Sequence, residues 1–235
     1  MARLPRLVVP NQPHHLIQRG NDRRAVFSEA DDYVFFLEHL RDSAALFGVA
    51  IHAYVLMPNH FHLLASPSDE IGLGKMIQRI GRYYVPYFNK KYKRVGGLWQ
   101  GRFKATVIDS EQYFMTCSRY IEANPVRAHM VAEPAEYPWS SYLHHIGVKP
   151  DALITEHALY WALGNTPFER EAAYKELVGQ ALGRDAIDVL NVATAKSWAL
   201  GGHQFKASVE QQIKRRVSPN KPGRPRKAKL VAHDA

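Results

Sequence analysis

The chain has 235 residues, 46% of them apolar, which is enough for one well-packed domain with a smaller appendage and too much for disorder throughout. A formal net charge of +9 favours a polyanionic partner, nucleic acid foremost, and the single cysteine, Cys117, excludes an internal disulfide framework and a cysteine-rich zinc site. The start MARLPRLVVPNQPHH lacks the apolar core of a signal peptide and no run of about 18 apolar residues occurs, so the expectation is a cytoplasmic, nucleoid-associated protein without a membrane partner.

In chain order, the first predicted strand is His14 to Arg19, closed by the turn signal Gly20-Asn21-Asp22. Helical spacing follows from Glu29 to Leu46 through Tyr33, Phe36, Leu37, Leu40 and Ala44. Ile51 to Leu56 and His60 to Ala65 are apolar runs joined by Met57-Pro58-Asn59, a β-hairpin or close strand pair. A second helix fits Leu73 to Phe88, with Lys75, Arg79 and Arg82 on a face apart from its apolar set. A basic loop from Lys90 to Lys104, with Tyr92, Trp99 and Phe103 embedded in it, leads to a short strand at Ala105 to Ile108. Asp109 then opens a helix that the restriction on the residue before Pro125 should end at Asn124. The order β-α-β-β-α-β-α describes an α+β domain, helices packed on an antiparallel or mixed sheet, over residues 1–138. Residues 139–216 read as a helical accessory region, with segments at Glu156 to Leu163, Phe168 to Leu182, Ala186 to Trp198 and Ser208 to Arg216. Residues 217–235 form a tail too rich in proline and cations to fold alone.

The chemistry centres on MPNHFHLL at Met57 to Leu64. Side chains alternate along a strand, so His60 and His62 share a face and Phe61 takes the other. Two imidazoles about 7 Å apart can converge on one metal ion if a neighbouring element brings a third ligand; two ordinary histidines on a half-exposed strand fit the same spacing. On the helix from Asp109, Phe114, Cys117 and Ile121 form an apolar stripe, while Tyr113, Thr116, Tyr120 and Asn124 share an adjoining face. If that face borders the histidine strand, Asn124 can offer an amide oxygen and Tyr120 a phenol. A cation beside it would favour the phenolate of a group whose free pKa is about 10. Tyr120 as an aromatic at a core edge and Asn124 as a helix stop are the plainer readings.

Taken together, MPNHFHLL and RYIEANPVRA at Arg119 to Ala128 resemble the HUH-type single-tyrosine transposases, particularly the REP-associated tyrosine transposases of bacteria. Further likeness lies in RGN at Arg19 to Asn21, LWQGRFK at Leu98 to Lys104, YPWSSY at Tyr137 to Tyr142 and GRPRK at Gly223 to Lys227. The resemblance implies an HUH nuclease fold with a ferredoxin/RRM-like core, a C-terminal helical extension and a basic tail. It implies Tyr120 as nucleophile, with His60, His62 and Asn124 binding a divalent metal, Mg2+ or Mn2+. The implied activity is metal-dependent cleavage and transfer of single-stranded DNA through a 5′-phosphotyrosine, on hairpins of extragenic repeats. Asparagine at the third ligand position, where more distant insertion-sequence relatives often have glutamine, favours the REP-associated branch.

For single-stranded or hairpin DNA the chain needs cations along the phosphates and flat side chains for bases. Lys75, Arg79 and Arg82, with Arg102 and Lys104 in the basic loop, are candidate contacts, and Arg19 and Asn21 fit a guide tetranucleotide beside the hairpin foot. In the tail, Arg224 and Arg226 lie in a segment that resembles an AT-hook and serves equally as an electrostatic tether. Gly72-Leu73-Gly74-Lys75 lacks the spacing of a phosphate-binding loop. Two other readings stay open: a hairpin-binding regulatory protein without transposition, and a zinc or manganese hydrolase using activated water. A monomer and a homodimer are both compatible with the sequence.

Overall fold

The computed structural model describes residues 6–219. β1 (His14–Arg19), α1 (Ala30–Leu46), β2 (Val49–Met57), β3 (His60–Pro67), α2 (Gly72–Lys91), β4 (Lys104–Val107) and α3 (Ser110–Glu122) follow in the expected order. The chain continues through α4 (Asn124–Arg127), α5 (Tyr142–His145), α6 (Ala158–Trp161), α7 (Pro167–Gly179), α8 (Arg184–Lys196) and α9 (His203–Ile213). The strands form one antiparallel sheet in the order β2-β3-β1-β4, which makes β3, the strand of the histidine pair, an interior strand.

Pro58 and Asn59 close the β2–β3 hairpin with Met57 opposite His60. The fixed φ of proline excludes the mirror-image turns that usually join two strands so tightly. The segment after β1 holds the turn instead: the Pro58 carbonyl accepts from Val26 N at 2.7 Å and Phe27 N at 3.0 Å, and the Asn59 carbonyl accepts from Gly20 N at 2.8 Å. A Cβ at position 20 would collide with the Arg24 carbonyl oxygen, so this approach requires glycine. The RGN segment therefore fixes the entry to the histidine strand.

The register sorts side chains into two layers. Directly opposed residues share a face, so His60, His62 and Leu64 look the same way as Arg19, Ile17 and His15 of β1 and Lys104 and Thr106 of β4. Phe61, Leu63 and Leu16 point to the other side, where α1 and α2 cover them with Phe36, Leu40, Met76, Ile80 and Tyr84. On the histidine face, Phe114, Cys117 and Ile121 of α3 and Leu190 and Ala193 of α8 pack with Val55 and Leu64.

Residues after 138 join both edges of the sheet. Beside β2, Leu56 N donates to Trp139 O at 2.9 Å and Thr155 N to Ile51 O at 2.7 Å; beside β4, Leu200 N donates to Val107 O at 2.9 Å. These contacts occupy edge groups that would otherwise be free to pair with another chain. The fully buried Glu122 carboxylate ties α3 to α5 and α7, accepting from Tyr174 Oη at 2.6 Å and Ser141 Oγ at 2.5 Å and lying 2.7 Å from His145 Nδ1.

Three local expectations differ. The tyrosine helix does not stop at Asn124: it breaks at Ala123 and resumes as α4, with Pro125 in the first turn, where a missing N–H costs nothing. The helix expected at Glu156 to Leu163 contracts to α6, capped by the His157 ring accepting from Leu159 N at 3.2 Å. The last helix starts earlier, after Gly202, and ends at Ile213, where the left-handed Lys214, φ 49°, caps it. Among the described residues, no helix is long and apolar enough to cross a membrane.

Candidate active site

A cleft of about 560 Å³ lies on the histidine face, bounded by β1, β3, the end of α3, α4 and α8. His60, His62, Tyr120 and Asn124 all line it, with Arg19, Arg102, Lys104 and Arg127. The two histidine rings are 5.0 Å apart between centroids and nearly perpendicular.

Each histidine is held through Nδ1. His60 Nδ1 lies 2.6 Å from the Asn59 side-chain oxygen, an acceptor only, so the proton is on Nδ1 and the Nε2 lone pair is free. His62 Nδ1 lies 2.7 Å from Nε2 of His15, whose Nδ1 lies 2.9 Å from Thr194 Oγ1. With protons running from His62 to His15 to Thr194, His62 Nε2 also keeps its lone pair. Burial pushes His60 down to about 4 and His15 to about 3. It also pushes His62 well below the usual range, with the neighbouring His15, His60, Arg127 and Arg19 adding to the effect. All three rings are therefore neutral near pH 7, the state in which imidazole binds metal.

Tyr120, in the last turn of α3, meets the His15 and His62 rings edge-on at 5.8 Å. Its hydroxyl donates to Asn191 Oδ1 of α8 at 2.8 Å. Burial raises the phenol pKa; the Arg127 guanidinium, 4.1 Å over the ring, opposes that shift. Arg127 Nη1 is buried with no hydrogen-bond partner among the described residues, a donor left over beside the cleft. Asn124, one helical turn beyond Tyr120, lines the same cleft.

A divalent cation fits these side chains on their donor chemistry. Among the described residues, no three His, Cys, Asp or Glu side chains gather as a metal cluster. Amide oxygens in the cleft lining, those of Asn124, Gln18 and Gln100 among them, are donors that such a cation accepts beside two imidazoles. Asn191 Oδ1 already accepts the tyrosine hydroxyl, and Asn124, one turn from Tyr120, is the amide that the resemblance implies.

The candidate DNA contacts separate. Arg19, Arg102 and Lys104 line the cleft. Asn21 is exposed on the turn after β1, its N–H donating to Leu98 O at 2.8 Å, and is not in the lining. Lys75, Arg79 and Arg82 belong to α2, in the layer behind the sheet, and the Arg79 guanidinium sits 4.9 Å over the Tyr83 ring. The aromatics of the basic loop face inward rather than offering a stacking surface: Trp99 meets Phe61 edge-on at 5.7 Å, Phe103 is buried, and Tyr92 Oη donates to Asp32 at 2.7 Å. Arg224 and Arg226 lie outside the described residues.

His15, Arg127, Asn191 and Thr194 did not emerge from the sequence. His15 alternates with Ile17 and Arg19 on a strand, and Arg127 stands two turns beyond Tyr120, so both carried a signal. Asn191 and Thr194 share a face of α8 at a spacing of three, but no motif marks them.

Residues 8–124 match a family described as Transposase IS200 like. The solved structure of a REP-associated tyrosine transposase bound to a REP hairpin is 16% identical and superposes with a TM-score of 0.50, covering 68% of this chain and 93% of that one. A transposase structure from Deinococcus radiodurans is 24% identical, with a TM-score of 0.37 and coverage of 52% of this chain and 96% of that one. No curated protein matches. The first likeness is one of fold, and it identifies the four-stranded antiparallel sheet with flanking helices as the HUH transposase fold.

Proposed function

We propose that this chain, which belongs to the IS200-like transposase family, is a metal-dependent single-strand DNA endonuclease and strand transferase acting on repeat hairpins. Tyr120 Oη loses its proton and forms a bond to phosphorus; the bond from phosphorus to the 3′ oxygen breaks, and that oxygen takes up a proton. The products are a 5′-phosphotyrosine and a free 3′ hydroxyl, and a 3′ hydroxyl from the same or another strand reverses the step. The observation that carries this reading is the convergence of His60, His62, Tyr120 and Asn124 on one cleft.

His60 Nε2, His62 Nε2 and the Asn124 amide oxygen would hold the cation, Mg2+ or Mn2+. When bound it polarises the scissile phosphate and favours the phenolate. Two imidazoles and no carboxylate suit Mn2+ better than Mg2+, which prefers an all-oxygen shell. Arg127 counters the effect of burial on the phenol and has donors for a phosphate oxygen. Arg19, Arg102 and Lys104 line the path of the strand. One chain supplies every one of these groups, so the proposed reaction needs no second copy, and a monomer and a homodimer are both compatible with it; the expected setting is DNA in the cytoplasm, at the nucleoid. The hairpin-bound relative of the same fold supports a hairpin as the DNA class.

The test uses end-labelled hairpin DNA with Mg2+ or Mn2+, wild type against Tyr120→Phe. A denaturation-resistant adduct that disappears in Tyr120→Phe is the expected result; cleavage persisting in that variant sinks the proposal. One observation favours hairpin binding without cleavage as a second reading: the Tyr120 hydroxyl is committed to Asn191, in surroundings that raise its pKa. Tight metal-independent binding with no adduct under any condition would select it.

A further inference from the structure

A second groove, of about 650 Å³, opens beside the tyrosine cleft between β4, the end of α8 and the segment after α9. The two cavities share Gln100, Arg102 and Lys104, so they adjoin along those side chains. To Arg102 and Lys104 the groove adds Arg6, Lys196, Arg215 and Arg216, and no Asp or Glu lines it. None of Arg6, Arg102, Lys104, Lys196 and Arg216 forms an ion pair among the described residues. Their visible partners are neutral: Arg6 lies 3.7 Å over the Phe103 ring with Nε on Phe103 O at 3.1 Å, Lys104 Nζ reaches Ala195 O at 2.9 Å, and Arg216 reaches Pro219 O at 2.7 Å.

Gathering cations from positions 6 to 216 against their mutual repulsion takes a scaffold, and the walls supply one. Ala199 N donates to Val217 O at 3.0 Å, and Leu7, Val9, Val107, Ala199, Val209 and Val217 form one buried cluster beneath. Trp198 is half-buried on the same wall, and its Nε1 finds no acceptor among the described residues. A walled cationic groove with an indole in its lining, contiguous with a site that must take an unpaired strand, has the make-up of a single-strand binding channel.

We propose that this groove holds the unpaired DNA strand flanking the scissile phosphate, mainly by its phosphates and hence with little sequence preference. The proposal rests on the reading of the neighbouring cleft as a strand-cleaving site. It gives the region after residue 138, above all the end of α8 and the segment after α9, a direct part in DNA binding.

The experiment measures fluorescence anisotropy of hairpin DNA with no extension, or with about ten unpaired nucleotides on the 5′ or the 3′ side, in EDTA so that nothing is cleaved. In wild type, one of the two extensions is expected to tighten binding. In the Lys196→Gln, Arg215→Gln, Arg216→Gln triple variant that gain disappears, and the slope of log affinity against log salt on the extended DNA falls by about 2, at roughly 0.7 per phosphate contact. Lys196→Gln alone, at the exposed end of α8, lowers the slope by about 0.7 should the triple variant fold poorly. The triple variant Lys196→Arg, Arg215→Lys, Arg216→Lys retains the gain. No gain from either extension in wild type, or an equal gain and slope in the glutamine variants, overturns the proposal. Failure of the cleavage reading is seen separately, as the absence of any adduct when metal is restored.

Discussion

Replacing His15 by phenylalanine separates the metal-binding account from mere packing. His15 is 1% exposed, and its ring meets that of His62 edge to edge and nearly coplanar, with centroids 5.0 Å apart and planes 17° apart. Phenylalanine keeps an aromatic ring there but puts C–H edges in place of Nε2, which lies 2.7 Å from His62 Nδ1, and of Nδ1, which lies 2.9 Å from Thr194 Oγ1. The His62 Nδ1–H then has no acceptor in a buried place, at a cost of about 1–3 kcal/mol. The ring can avoid that cost by moving its proton to Nε2, which removes the lone pair the cation needs. Loss of such an outer partner typically weakens metal binding about 10–100-fold. The assay is adduct yield titrated against Mn2+. His15→Phe should need about 10–100-fold more Mn2+ for half yield, with the yield recovering at saturation. Thr194→Val, which leaves the His15 ring in place, should shift the midpoint less. A folded His15→Phe protein with the wild-type Mn2+ midpoint refutes the reasoning, because a purely structural role lowers thermal stability without moving that midpoint.

Glu122→Ala strips a fully buried carboxylate from Tyr174, Ser141 and His145 and should cost about 3–5 kcal/mol, read as a lower denaturation midpoint; a loss below about 1 kcal/mol contradicts the network's role. Arg127→Met removes the charge that opposes the burial-driven rise in the Tyr120 pKa, so adduct formation at neutral pH should fall about 10²-fold and its alkaline limb move to higher pH. An unshifted pH profile would place Arg127 outside the attack step. His14 and His52 are buried and held near pKa 4 against an ordinary 6.5. His14 is locked neutral, with Nδ1 on Gln12 O at 2.7 Å and Nε2 accepting from Val9 N at 3.1 Å. The unfolded chain binds more protons between those values, so stability should be flat above about pH 7 and fall toward pH 4 by up to about 1.4 kcal/mol per pH unit for each histidine. Urea melts with equal midpoints at about pH 7.5 and 5 would contradict this.

Periodicity made the helices over α1 and α2 legible, and alternation made β1 and the hairpin legible. It also put His60 and His62 on one face and Tyr120 beside Asn124. Periodicity shows which residues share a helix face, not which side of a sheet the helix covers. Lys75, Arg79 and Arg82 could be read as candidate DNA contacts from their shared face, but not as lying on the far side of the sheet from the histidines, where α2 packs. His15 and its link to His62 depend on β1 pairing with β3, 47 residues apart, and Thr194 lies 179 residues from His15. Contacts of that range leave no local pattern. Tyr92, Trp99 and Phe103 had the composition of a base-stacking loop, but composition does not distinguish a ring that awaits a ligand from one that closes a core. Pro125 was read as a stop because it disfavours helical geometry in the residue before it, whereas the chain uses it in the first turn of another helix.

The central claim is that Tyr120 is the nucleophile of a centre built with His60, His62 and Asn124. Its most direct test is to cleave hairpin DNA with Mn2+, digest the adduct with protease and nuclease, and locate the attached nucleotide by mass spectrometry. The account predicts a 5′-linked nucleotide on the peptide containing Tyr120 and nowhere else, lost in His60→Ala, His62→Ala and Asn124→Ala. A nucleotide on any other residue, or cleavage with no protein-linked product, would contradict it.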